Sequence, residues 1–455
     1  MKLLRFLPRF KAAERSLDAL AERETWPAHR IKEWHLERLN RVWKHAIATV
    51  PHYIDFQRAF DLPVEFQSIE QFTSCVPRLE KSLVRNHPQR FLSSRRAPGG
   101  WKWTGGSTGT PTSVYWEHSA HREMLQAKYR SEQAWGLSIF DSKALLWGHN
   151  GSFARGFSGS IERVKRPLVD RLRRRLRLSA YCLSPPDLEH CLRRMQAYRP
   201  RSIYGYSSAI LLLARQADQL GIRIPSLKVA ILTAEPADQS MLDEVERKLR
   251  VPATVEYGSV ECGLMAYGMP DRTLRVREDV VFLETVPNTN CSYDIVVTVL
   301  GNASFPLLRY AIEDTTPEPL HRPSRGFAEL KGVQGRNNDL LLSKQGRIIH
   351  SMAVKHVIEH HPAIQRFQAV QDSAGRLEVS LECQTNLPTM SVVGIKMKLA
   401  DLMEGYPVEV NAVHKIEGNL AGKHRWITSE LVRPSYLASH EDAGLAVTPQ
   451  VRPLA

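Results

Sequence analysis

Thr104-Gly105-Gly106-Ser107-Thr108-Gly109-Thr110-Pro111 is the stretch on which the reading of this chain turns, because aromatic and β-prone residues stand on both sides of it. Trp101-Lys102-Trp103 leads in and Ser113-Val114-Tyr115-Trp116 leads out, so the run predicts a tight hairpin loop between two strands. Its glycines let backbone amides turn toward one point and its hydroxyls add donors, a composition that suits the cradling of a phosphate chain. A plain Ser/Thr/Gly surface hairpin is the alternative. The phosphate loop of nucleotide hydrolases carries Lys before its Ser/Thr and opens a helix. Here Thr110 and Pro111 stand where that Lys is expected and a strand follows, which argues against a hydrolase of that type.

Outward from this loop, strand and helix signals alternate, which predicts an α/β protein. Val229-Ala230-Ile231-Leu232-Thr233 reads as a buried strand ending at Ala234-Glu235-Pro236, and Ala253 to Tyr257 as a second one ending at the Tyr257-Gly258 turn. Helices are predicted over Ser208 to Leu220 and Gln239 to Leu249, with only loose helical periodicity from Pro186 to Met195. Ligands of open α/β sheets lie beyond the carboxyl ends of the strands, so both turns fall where a nucleotide would bind. The proline-broken segment from Asp314 to Pro319 and the polar, glycine-bearing segment from Gly332 to Asn338 suit a linker. Beyond them Arg376 to Glu382 alternates at period two, as a half-buried strand does. The division predicted is a large N-terminal domain over residues 1–334, helical over about the first 60, and a small α+β domain over 335–455.

Lys and Arg number 62 against 48 Asp and Glu, a formal charge of +14. The densest basic run is Arg171 to Arg177, with Lys165 and Arg166 before it. It reads either as a solvated helix face or as a surface at 165–177 for an anionic partner: coenzyme A, an acidic carrier protein, a polysaccharide or a phospholipid surface. No groove-reading or base-stacking motif points to nucleic acid. No apolar run approaches the roughly 18 to 20 residues of a transmembrane helix, and Met1 to Leu20 lacks a signal-type apolar core. The expectation is a cytoplasmic protein, with the membrane surface as a peripheral partner. Six cysteines at 75, 182, 191, 262, 291 and 383 form no CxxC pair, and no His cluster has zinc spacing, so free thiols and no structural metal are expected. Cys262 is expected to be a small packing residue.

Downstream of the glycine loop come, in order, Tyr257-Gly258-Ser259-Val260-Glu261, Arg309-Tyr310-Ala311-Ile312-Glu313-Asp314, Gly335-Arg336-Asn337-Asn338-Asp339 and Gly422-Lys423. This series resembles the adenylate-forming (acyl-AMP) superfamily, and within it the branch of phenylacetate-coenzyme A ligases and capsule-biosynthesis adenylating proteins. The opening segment Lys32-Glu33-Trp34 through Tyr53, Gly205-Tyr206-Ser207-Ser208-Ala209 and Phe367-Gln368-Ala369-Val370-Gln371 extend the resemblance over nearly the whole chain.

The resemblance implies a fold with a large adenylating domain and a small mobile lid. It also implies ATP-dependent conversion of a carboxylic acid to an acyl-adenylate with release of pyrophosphate, then acyl transfer to coenzyme A or another thiol, amine or hydroxyl. In that scheme Thr104, Gly105, Gly106, Ser107, Thr108, Gly109 and Thr110 hold the β and γ phosphates, and Glu261 holds Mg²⁺ as a hard oxygen ligand. Tyr257 stacks on adenine beside Ala234-Glu235-Pro236, Asp314 takes the ribose hydroxyls with support from Arg336, Asn338 is the hinge, and Lys423 is the catalytic cation of the lid. Three departures stand out: Thr110 where Lys is frequent, Glu313 where Gly is usual, and Asn338 where Asp is usual. A non-catalytic relative, a binding or scaffold protein for an anionic partner, is the other reading. Trp135, Trp147, His149, Tyr204 and Tyr206 suit an acyl pocket for an aromatic or otherwise bulky acid, or equally a packed core.

Overall fold

The computed structural model describes residues 17–104, 112–148, 169–171, 173–181, 183–288, 292–333, 340–358, 363–383, 388–413, 416 and 427–431. Residues 17–23 are helical, and after them come α1 (Ala28–Thr49), α2 (Pro51–Ala59), α3 (Ile69–Cys75) and α4 (Lys81–Asn86). Ile31, His35, Leu39, Val42, Trp43 and Ala46 recur at helical spacing along α1 and are buried, a single core-facing stripe. Pro51 opens α2, where a missing N–H costs nothing, and the Ser68 hydroxyl caps α3 by accepting from the Gln71 amide. With Phe66, Phe72 and Phe91, the α1 stripe joins a core that includes Phe305, Leu308 and Tyr310.

The two strands predicted around the glycine run, β1 (Gly99–Trp103) and β2 (Ser113–Glu117), pair antiparallel with Trp103 opposite Ser113. Next come α5 (His118–Ala134), β3 (Lys143–Trp147), β4 (Arg175–Ser179), α6 (Pro185–Tyr198), β5 (Ser202–Tyr206), α7 (Ser207–Gln219), β6 (Val229–Thr233), α8 (Gln239–Leu249), β7 (Ala253–Ser259), β8 (Gly263–Gly268) and β9 (Leu274–Val276). A three-stranded antiparallel sheet, β10 (Val281–Pro287), β11 (Tyr293–Val299) and β12 (Tyr310–Thr316), precedes β13 (Glu329–Leu330). The main sheet has the order β13-β9-β8-β7-β6-β5-β3-β4, antiparallel up to β7 and parallel from β7 to β4. All five residues of β6 are buried, Val229 and Ile231 in one core and Ala230 and Leu232 in the other. A central parallel strand covered on both faces needs such an unbroken apolar run.

Two expectations are corrected here. The stretch after Ser184 is a full helix, α6, whose Leu188, Cys191, Leu192 and Met195 are buried. Its Pro185-Pro186 pair looks like a breaker in sequence, but prolines in the first turn remove only amides that have no helical partner. From Arg175 onward the basic run is not a helix face: 169–171 are helical, but from Arg175 the chain is the edge strand β4. Leu176 and Leu178 are buried while Arg175 and Arg177 alternate with them, the period of a strand. Arg177 pairs with Asp170 at 2.7 Å.

The C-terminal part is a small α+β unit: β14 (Leu340–Leu342), β15 (Ile348–His350), α9 (Ser351–Ile358), β16 (Ile364–Gln371), β17 (Leu377–Cys383), α10 (Thr389–Met403), β18 (Val408–Val413) and β19 (Ile427–Ser429). Its four-stranded sheet has the order β18-β17-β16-β19. Leu377, Val379 and Leu381, the alternating residues of the predicted strand, are buried with Phe367 against Ile395, Leu399 and Met403 of α10. Tyr181 of the larger part joins this core, and Arg347 pairs with Asp187 of α6 at 3.1 Å. Among the described residues no helix is long and apolar enough to cross a membrane, and Cys75, Cys191, Cys262 and Cys383 are free thiols.

Candidate active site

The carboxyl ends of β5, β6 and β7 lie side by side, with Tyr206 opposite Thr233 and Thr233 opposite Glu256. At the end of β7 the register slips between Tyr257 and Gly258, a bulge of the kind that re-aims side chains. A Cβ on Gly258 would stand 2.7 Å from the Gly263 carbonyl oxygen, so the turn requires glycine. Tyr257, just before the slip, donates its hydroxyl to Asp314 Oδ2 of β12 at 2.9 Å. Burial first, and the Asp314 charge second, push the Tyr257 pKa well up, so the phenol stays a donor. The expected adenine and ribose residues are therefore joined across two sheets.

Glu261 follows in the β7–β8 turn, which is pinned by Trp116 Nε1 donating to the Val260 carbonyl at 2.9 Å and the Cys262 amide donating to Ser259 Oγ at 2.9 Å. Its carboxylate is 3% exposed and is held by Lys81 Nζ at 3.0 Å and by the Tyr310 hydroxyl at 3.4 Å. Both contacts fall on Oε1. Lys81, at the start of α4, is a site residue that sequence reading missed: it belongs to no local motif and lies far from Glu261 along the chain. Among the described residues no cluster of three or more His, Cys, Asp or Glu could hold a metal by itself. Magnesium bound mainly through substrate phosphates needs only one or two carboxylates, and Glu261 fits that requirement with Oε2.

Ala234 is exposed and left-handed, with φ 66°, and Glu235 turns back onto α7. Glu235 Oε2 accepts from the Ser208 amide at 2.8 Å and its carbonyl from Ser207 Oγ at 3.0 Å. An acceptor carboxylate at a helix N-terminus satisfies an orphan amide and complements the dipole, so this carboxylate fixes the turn; Pro236 follows it. Glu313, where the resemblance has Gly, is exposed with φ 69°. That conformation is the reason glycine suits the position.

Beside these turns Trp147 stacks on Tyr206 at 4.3 Å and 26° and on Tyr204 at 5.7 Å and 17°. Tyr204 donates to Glu256 Oε1 at 2.8 Å, Lys128 of α5 pairs with Glu256 Oε2 at 2.6 Å, and the same ammonium lies 3.8 Å from the centre of the Tyr204 ring. Burial raises the Tyr204 pKa. Burial opposes charge on Lys128, but Glu256, Tyr204 and Glu132 outweigh it and the net shift is upward. Lys143, paired with Glu132, is shifted downward by burial. Trp135 stands apart from the stack and donates to the Gly268 carbonyl at 2.9 Å. Thr104 closes the base of the glycine loop: its amide donates to the Thr112 carbonyl at 2.9 Å, and its Oγ1 accepts from the Thr112 amide at 2.8 Å. Gly105 to Thr110, His149, Arg336, Asn338 and Lys423 lie outside the described residues.

The architecture matches that of 2-hydroxyisobutyryl-CoA ligase solved with 2-HIB-AMP and CoA in the thioesterification state, with a TM-score of 0.60 at 18% identity over 90% of this chain and 92% of that one. The fold is that of an adenylate-forming ligase. Phenylacetate-coenzyme A ligase of Escherichia coli (strain K12) is 24% identical over 392 residues, 81% of this chain and 85% of its own. Protein CapK of Staphylococcus aureus is 23% identical over 279 residues, 60% of this chain and 61% of its own, and residues 341–430 match the family of the CapK C-terminal domain. Over most of its length the chain is thus similar to phenylacetate-coenzyme A ligases and, over a shorter span, to CapK.

Proposed function

We propose that this protein activates a bulky, aromatic carboxylic acid with ATP and Mg²⁺ and passes the acyl group to coenzyme A or a related acceptor. The observation that carries the reading is the Tyr257–Asp314 bond beside buried Glu261, at the carboxyl edge of parallel strands and next to the Trp147–Tyr206 stack. A carboxylate oxygen of the acid attacks the α-phosphorus, the bond from that phosphorus to the bridging oxygen breaks, and pyrophosphate leaves. The acceptor then attacks the acyl carbon, its proton is lost, and AMP leaves. Tyr257 and Asp314 orient the nucleoside, Glu261 would hold the Mg²⁺ that screens the phosphates, and the aromatic stack supplies apolar area for the acyl group. The names of the relatives, two of them coenzyme A ligases, support the acceptor class.

The residues from about 335 onward act as a lid in this reading, with Asn338 as its hinge and Lys423 as the cation between two approaching anions. Magnesium-dependent ATP–pyrophosphate exchange over a panel of carboxylic acids tests the activity. Exchange with aryl acids is expected; ATP binding without exchange for any acid points instead to a non-catalytic scaffold. Lys423→Ala should lower acyl-adenylate formation by roughly 10²-fold to 10³-fold and spare transfer from supplied acyl-adenylate. Equal loss in both half-reactions would remove the lysine from the first step alone.

A further inference from the structure

The helix α10 is apolar on two opposite sides. Ile395, Leu399 and Met403 face the core of the C-terminal unit, while Met390 is 81%, Val393 44% and Met397 64% exposed. These exposed residues, spaced by three and four, fall on one stripe. Gly394 lies on the same side, and a Cβ there would meet nothing within 4 Å. A helix that is apolar all round is ordinarily covered all round, and Met side chains on an open surface adapt to varied partners.

The charges beside the stripe say what covers it. At 100° per residue Lys396 and Lys398 flank it on opposite sides, and among the described residues neither forms an ion pair, while Asp401 continues the stripe at its C-terminal end. Pairing with a second copy would set like charges together. An antiparallel two-fold places each lysine near its own counterpart, and a parallel pairing places Lys396 near Lys398. We infer that the outward face of α10 docks an acidic amphipathic helix of a partner protein, with an apolar seam over Met390, Val393 and Met397 and carboxylates on both flanks meeting Lys396 and Lys398. This does not depend on the adenylation reading, and it uses none of the residues placed in the site.

The test uses the full-length chain and two labelled synthetic helical peptides with one leucine seam, flanked by Glu in one and by Lys in the other, followed by fluorescence anisotropy. The Glu-flanked peptide should bind, and its binding should weaken as salt rises. Met397→Glu should weaken it by about tenfold or more, the scale of one methionine's burial. Lys396→Glu/Lys398→Glu should transfer preference to the Lys-flanked peptide, as complementary flanks require. These positions are on the surface, so thermal melts of the variants should overlay the parent. Equal binding of both peptides, or of neither, overturns the proposal. So does a wild-type dimer that Met397→Glu dissociates in sedimentation, which would assign the face to a second copy. Protection of Met397 from oxidation on addition of ATP and acid alone would assign it to the chain's own larger part.

Discussion

Glu256 lies within β7 and Glu261 in the turn that leaves it, and each carboxylate is held by a lysine from an earlier helix, Lys128 of α5 at 2.6 Å and Lys81 of α4 at 3.0 Å. Around Glu256 both oxygens are engaged, Oε1 by the Tyr204 hydroxyl and Oε2 by Lys128, with the Lys143–Glu132 pair nearby. Around Glu261 the contacts among the described residues gather on Oε1. A buried pair contacted on both oxygens, one by a hydroxyl and one by an ammonium, specifies packing, whereas a carboxylate contacted on one oxygen can accept a ligand's cation on the other. The same residue type and the same kind of partner thus yield a structural member on the strand and a candidate catalytic one in the turn after it.

Replacement tests this contrast most strongly at Glu256. Glu256→Gln leaves the Lys128 ammonium without its counter-ion and should lower the unfolding free energy by about 3 kcal/mol, read by urea denaturation. A change below about 1 kcal/mol would mean that Lys128 escapes to water, and the two pairs would then be alike. Glu261→Gln should instead cut acyl-adenylate formation by roughly 10²-fold. Adding Lys81→Met to it should recover stability and leave activity low, so recovery of both would reassign Glu261 to packing.

His52 sharpens the comparison as a mostly buried ring held neutral, packed at 4.5 Å and 37° against Phe91. Burial, with Arg90 second, lowers its pKa from 6.5 to about 4. The folded value lies below the unfolded one, so this contribution is complete above pH 6.5 and fades as pH falls toward 4. A shift of this size carries about 3 kcal/mol, which solvent screening of the partly open ring reduces to about 1–2 kcal/mol. His52→Phe should flatten the stability profile in that window, and an unchanged profile would place the acid sensitivity elsewhere. The smallest effect belongs to Glu313→Gly, which should raise stability by about 1 kcal/mol by relieving a left-handed backbone. A melting temperature that falls would show that the Glu313 side chain outweighs that strain.

What could be read in the sequence was what is local. Val229 to Thr233 matches β6 end to end, and the strands around the glycine run pair as their composition implies. The Arg175-Leu176-Arg177-Leu178 alternation is equally legible, but the arginines crowded into 171–177 make charge a stronger local signal than period. Tyr257 and Asp314 were named through motif resemblance, but their bond is a product of the register between two sheets. Lys81 and Lys128 carried no signal, because an isolated lysine on a helix acquires its partner only when distant strands close around it.

The arginines of β4 acquire a further meaning from its place at the end of the sheet. Among the described residues no strand lies on its outer side, so its backbone amides and carbonyls there form a template onto which another chain could add during synthesis, before the fold is complete. Leu176 and Leu178 supply the apolar side of such a seed, and Arg175 and Arg177 oppose it, since a second copy would set guanidinium against guanidinium. Charge on an edge strand discourages edge-to-edge addition, a consequence that concerns the yield of folded molecules and not their chemistry.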